Sequence, residues 1–190
     1  MKKLMYILCL CFLVGCSNSF EVSKEEADLL IQTVEDNLIS YNGNNYKLNY
    51  DGNNYYEYVK SDNEVWTTIQ GEKTYYTYSN NEVSIEKDSE ITTINMNEDT
   101  FYATYAMYTI DLDLSMYSSL KTSKNGYFKY YNLTMESDQK CVVNFPNSTE
   151  VVTLSSLKIT IRQIDDKLDS LQLSILGYDE GGVLTSITIS

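Results

Sequence analysis

Histidine is absent from all 190 residues. Its absence excludes mechanisms built on imidazole, including Ser-His-Asp triads and most catalytic zinc sites. Arginine occurs once, at Arg162, so the bidentate clamps that recognise phosphate are missing. With 14 basic against 27 acidic side chains the formal charge is −13, which repels nucleic acid. There is no Gly-x-Ser-x-Gly elbow and no phosphate-binding glycine loop. Proline occurs once, at Pro146, and tryptophan once, at Trp66. An enzyme of this composition would have to rely on carboxylates, lysine or tyrosine, and the expectation is a protein without catalytic residues. No cofactor and no metal are expected either. Asp111 and Asp113 are spaced to share one strand face, but no acidic loop supplies the roughly six to eight oxygens that calcium takes.

What is present is most informative at the N-terminus. Met1, Lys2 and Lys3 form a short positive region, and Leu4 to Val14 is an uncharged apolar run. The run is shorter than the roughly 20 residues of a membrane span and suits the core of a secretory signal. It ends Leu13-Val14-Gly15-Cys16. This resembles the lipobox of bacterial lipoproteins, in which a small residue precedes an obligatory cysteine. The resemblance implies a signal peptide over 1–15 and a diacylglyceryl group on the Cys16 thiol. It also implies a short tether over 16–22 and attachment to the extracytoplasmic face of the cell membrane. Two acyl chains anchor stably where one does not. Removal of Lys2 and Lys3 leaves 12 basic against 27 acidic side chains, so the body is expected to stand off anionic headgroups rather than embed. Cys9 and Cys11 leave with the peptide. Cys141 is then without an internal disulfide partner, and it reads as a small apolar strand residue.

Residues 23–190 read as one domain, since no long linker divides them. Residues 24–40 carry an amphipathic helix pattern: Ala27, Leu30, Ile31, Val34 and Leu38 recur at helical spacing. Ser23 and Glu26 stand in the capping-box arrangement. A meander follows, with strands at 46–50, 55–60, 65–69, 74–78, 82–86 and 91–95 and turn signals about every ten residues. Asn97-Glu98-Asp99 reads as a second helix start. Phe101, Tyr105, Tyr108, Leu112 and Met116 then share a helical face, giving a helical segment near 98–117, although Ile110 to Leu114 also alternates like a strand. Further strands are expected at 127–135, 140–145, 151–154, 157–164, from Ser170, and at 183–189. The fold class is α+β: a helix packed on a long, curved, half-barrel-like antiparallel sheet.

Tyrosine is in excess, with 18 in all and 16 of them between Tyr41 and Tyr131. Most serve as strand residues, which tyrosine suits. The clusters Tyr55-Tyr56-Tyr58 and Tyr75-Tyr76-Tyr78, with Trp66 between them, are the candidate ligand or partner surface, because tyrosine joins an apolar ring to a polar tip. The layout of N-terminal helix, meander, second helical segment and terminal strands resembles that of LolA-like and LppX-like lipoprotein carriers. That resemblance implies a lipid or other amphiphile bound inside the curved sheet. The alternative is a surface interaction module that binds a protein or glycan through the Tyr-rich sheet face.

Overall fold

The computed structural model describes residues 22–52 and 54–190. The expected signal peptide over 1–15, Cys16 and nearly all of the expected tether lie outside the described residues. Helix α1 spans Lys24–Asn37. The Ser23 side chain caps it by accepting the Glu26 N–H at 3.2 Å. The carboxylate of Glu26, however, does not complete a capping box. It receives the Tyr131 hydroxyl at 2.5 Å and the Lys129 ammonium, and so ties the helix to the sheet. Helix α1 ends three residues short of the expected Ser40, as Leu38 closes its last turn onto the Val34 carbonyl. No described helix is long and apolar enough to cross a membrane.

The meander strands are β1 Tyr46–Asp51, β2 Tyr55–Ser61, β3 Glu64–Ile69, β4 Glu72–Ser79, β5 Glu82–Lys87 and β6 Glu90–Asn95. Helix α2, Glu98–Tyr105, starts at an Asn97 cap whose Oδ1 accepts the Thr100 N–H at 2.8 Å. The remaining strands are β7 Thr109–Asp111, β8 Tyr117–Asn125, β9 Phe128–Met135, β10 Lys140–Phe145, β11 Ser148–Ile164, β12 Lys167–Tyr178 and β13 Leu184–Ile189.

Three expected boundaries are corrected. The second helical segment stops at Tyr105 rather than near 117. Beyond it Tyr108, Ile110, Leu112 and Leu114 are all buried, while Met116 is 49% exposed. Tyr108 and Leu112 fit either period, but Ile110 and Leu114 fit only the alternating one, and burying them decides the conformation. The expected strands at 151–154 and 157–164 are one 17-residue strand. It absorbs its irregularity as a register shift between Leu154 and Ser156 instead of breaking. Strand β12 begins at Lys167 rather than at the expected Ser170, so Asp169 lies within it, and it binds the Arg162 guanidinium.

All thirteen strands form one open, curved sheet, in the order β6-β5-β4-β3-β2-β1-β13-β12-β11-β10-β7. The long β11 holds two partners along one edge. Its first part pairs with β10 and its last part with β9, which carries β8. One face of the body bears Leu48, Tyr50, Tyr58, Leu133, Leu157, Ile159, Ile161, Leu173, Ile175, Ile187 and Ile189, all essentially buried. Leu30 and Val34 of α1 and its C-cap Leu38, together with Tyr108 to Leu114, cover that face. Cys141 is buried in the same core, as an apolar strand residue should be. A second, smaller core lies farther along the meander, where Phe101 and Ala106 of the α2 region cover Val65 and Val83.

Candidate functional site

The period of a strand divides the seven aromatic residues singled out from the sequence between two faces. The inner face, which carries α1 and α2, takes Tyr56, Tyr58, Tyr76 and Tyr78 (Tyr50 pairs with Tyr56, Leu48 with Tyr58, Val65 with Tyr76). The outer face takes Tyr55, Trp66 and Tyr75. They therefore do not form one surface. Tyr58 is 1% exposed and stacks on Phe145 at 5.7 Å. Tyr56 lies against Tyr50 at 5.4 Å. Tyr78 stacks on Phe101 at 5.4 Å, and Tyr76 on Tyr105 at 4.3 Å. These four are packing residues or the walls of a groove.

The outer three remain available. Val59, Trp66 and Tyr75 stand in register across β2, β3 and β4. The Trp66 and Tyr75 rings are 6.4 Å apart. The Lys73 ammonium lies 4.6 Å from the Tyr75 ring centre and 5.3 Å from that of Trp66. A cation over two ring faces holds them in place and adds a charge to an otherwise apolar ledge. Tyr75 is 44% exposed and Tyr55 40%. Lys73 escaped sequence reasoning, although its alternation with Tyr75 puts both on one face.

On the inner face, beyond the end of α2, lies an open groove of about 600 Å³. Tyr76, Tyr105, Ile69 and Ile85 form its apolar floor and walls, and Thr67, Thr74 and Gln70 supply hydroxyl and amide groups. The Glu72–Lys87 ion pair, at 2.7 Å, stands on its rim. A groove this mixed in character offers stacking and hydrogen bonds rather than a sealed apolar chamber.

Between the two cores sits Lys60, 4% exposed. Its ammonium lies 5.2 Å from the Tyr102 ring centre and 5.9 Å from that of Tyr41, and donates to Asn45 Oδ1 at 3.2 Å. Burial lowers its pKa from the ordinary lysine value, against the pull of Asp62 and Glu98. The same enclosure raises the Tyr41 phenol to about 12, and the Tyr41 hydroxyl has no hydrogen-bond partner among the described residues. Lys60 was legible in principle, since it continues the inward alternation of Tyr56 and Tyr58.

The remaining chemistry-bearing groups are structural. Burial raises the Cys141 thiol to about 12, far from the thiolate that nucleophilic chemistry needs. Asp113 accepts the Ser115 N–H and hydroxyl, which lowers its pKa, and Asp111 points to solvent from β7. Among the described residues no cluster of three potential metal ligands occurs.

The class defined by these features is an α+β protein with an open antiparallel sheet and two covering helices. Comparison with known proteins adds nothing to this: no family model, no curated protein and no solved structure matches the chain.

Proposed function

We propose that the chain is a lipid-anchored protein of the cell envelope, without enzymatic activity, whose meander is an interaction module for a protein or glycan. The tether is the diacylglyceryl group expected on Cys16. The observation that carries the binding reading is the ledge of Trp66 and the exposed Tyr75 with Lys73 over both rings, on a sheet face that no described helix covers. Rigid aromatics with a neighbouring cation bind at low entropic cost, by stacking and by hydrogen bonding through the phenols.

A lipid or other amphiphile in the curved sheet is the second reading, as the likeness of layout to LolA-like and LppX-like carriers implied. The concave face of the body is filled by α1 and by Tyr108 to Leu114, so an acyl chain would have to use the groove at Tyr76 and Tyr105. That groove is open and half polar in its lining, which suits a headgroup or a sugar better than a long chain.

The anchor is tested by metabolic labelling with palmitate. Label is expected in the wild-type chain and not in Cys16→Ala, which should also leave the membrane fraction. The binding reading is tested by native mass spectrometry of the protein purified from its own membrane. A co-purifying protein or glycan that Trp66→Ala/Tyr75→Ala loses supports the outer ledge. Co-purifying lipid retained by that variant supports the groove instead.

A further inference from the structure

The ends of the sheet are not treated alike. The three-residue β7 is closed on its outer side by residues 39–41, where the Ile110 N–H donates to the Ile39 carbonyl at 2.7 Å and the Tyr41 N–H to the Tyr108 carbonyl at 2.9 Å. Strand β8 carries Lys121 and Lys124 and a register shift between Tyr117 and Ser119, two devices that discourage a further strand from joining. Strand β6 has neither. It pairs with β5 in unbroken register from Glu82–Asn95 to Lys87–Glu90, and holds no lysine, proline or bulge. Ile91 on it is 67% exposed.

The alternation of an antiparallel ladder decides which backbone groups of β6 are free. The Met96 N–H donates to the Asn81 carbonyl at 3.0 Å. Counting back by twos, Ile94, Thr92 and Glu90 are the residues bonded to β5. The N–H and C=O groups of Ile91, Thr93 and Asn95 point away from the sheet. They form a row of donors and acceptors at the spacing an incoming strand presents.

The charge around this edge is one-sided. Glu82 and Glu86 flank it on the outer face and Glu90 on the inner. Asp88 lies in the turn, and Glu98 and Asp99 open α2. Lys87, the only cation between residues 82 and 99, is held by Glu72. An acidic edge repels a second copy of this acidic chain and attracts a basic segment.

We propose that the free edge of β6 docks an extended, basic segment of a partner polypeptide, which joins the sheet as a further strand. Its backbone bonds to Ile91, Thr93 and Asn95. An apolar side chain of the segment covers Ile91 on the outer face, and a lysine or arginine meets Glu90 on the inner. This site depends neither on the anchor at Cys16 nor on the outer aromatic ledge.

Amide hydrogen exchange on the full-length chain tests it, with two synthetic ten-residue peptides as probes, one alternating lysine with valine and the other glutamate with valine. The lysine peptide is expected to slow exchange at Ile91, Thr93 and Asn95 at least tenfold. It should leave Thr92 and Ile94, already bonded to β5, unchanged, and the glutamate peptide should protect none of them. Thr93→Pro, which removes one outward N–H, and Ile91→Lys, which installs the guard that β8 carries, should each weaken the lysine peptide at least tenfold. Unchanged exchange at Leu48 and Ile159 checks the fold, and if Thr93→Pro fails that check Ile91→Lys decides. The proposal is overturned if the lysine peptide leaves the three amides unprotected or if both peptides act alike. Protection that grows with protein concentration alone also overturns it, in favour of a second copy. So does loss of peptide binding in Trp66→Ala/Tyr75→Ala with none in Ile91→Lys, which would place the peptide on the aromatic ledge.

Discussion

The Lys60 ammonium lies 5.2 Å from the centre of the Tyr102 ring, at the junction where α2 meets the meander, with almost no access to water. Its pKa is lowered chiefly by burial, which outweighs the pull of Asp62 and Glu98. Lys60→Met keeps the length of the stem and removes the charge. It is expected to raise stability at neutral pH. An amine with a lowered folded pKa binds its proton less readily folded than unfolded. Its contribution to stability therefore improves as pH rises toward 10.5, and the advantage of the variant should shrink over that range. Urea denaturation of both proteins at pH 7 and pH 10 checks this; a variant less stable at pH 7 contradicts it.

The buried phenols act in the opposite direction. Burial raises Tyr41 and Tyr58 to about 12, and Tyr46 and Tyr108 are raised too. Tyr46 donates to the Ala106 carbonyl and Tyr108 to the Leu38 carbonyl, so both are needed as neutral donors. A phenol raised in the folded state holds its proton longer there than in the unfolded chain. The stability it supplies is complete below about pH 10 and is lost as pH climbs through the folded value. Cooperative unfolding above pH 10 is therefore expected, with phenolate absorbance and loss of sheet signal changing together. Phenolate appearing for all the tyrosines well before the sheet is lost would contradict it.

Gly177 opposes the irregular stretch of β11. A Cβ there would lie 2.3 Å from the Thr153 carbonyl oxygen and 2.5 Å from Val152 Cγ1. The first of these is backbone and cannot swing aside. Gly177→Ala is thus expected to cost about 3 kcal/mol, at the upper end of ordinary overpacking, by forcing β11 and β12 apart. Thermal unfolding of the variant checks the size of the effect. A loss below about 0.5 kcal/mol would mean that the strands yield more easily than their pairing suggests.

The meander was legible from sequence almost to the residue, because its turns declare themselves. Asn80-Asn81 and Asp88-Ser89 adopt positive φ at both positions, between 51° and 67°, as two-residue hairpins require. The N-terminal helix was legible from its capping residue and apolar stripe. The stretch after α2 was not, because Tyr105, Tyr108, Leu112 and Met116 keep helical spacing while the burial follows Ile110 and Leu114. The candidate site was only half legible. Neighbours such as Tyr55 and Tyr56 are adjacent in the chain and opposite in space, so a cluster in sequence is two half-clusters on a sheet. The open edge of β6 left no mark in the residues, since strand order is a property of the whole fold.

Glu26 is the link between α1 and the far end of the sheet. Its carboxylate lies below its usual pKa, held there first by the Lys129 ammonium and then by the Tyr131 hydroxyl. A lowered carboxylate contributes stability above its unfolded value near 4.5 and loses it as pH falls through the folded one. The site is about one-third exposed, so solvent screens the pair and the contribution is about 1 kcal/mol rather than several. Glu26→Gln preserves the backbone N–H that Ser23 caps and removes only the charge. It should therefore destabilise the protein by about 1 kcal/mol at pH 7, and the difference from wild type should close by pH 3. Leu30→Ala, by contrast, removes buried packing from the same helix and should cost about 2–5 kcal/mol at either pH. Denaturation midpoints for the two variants at the two pH values separate the effects. A Glu26→Gln deficit that persists unchanged at pH 3 would mean that its role is packing, not charge.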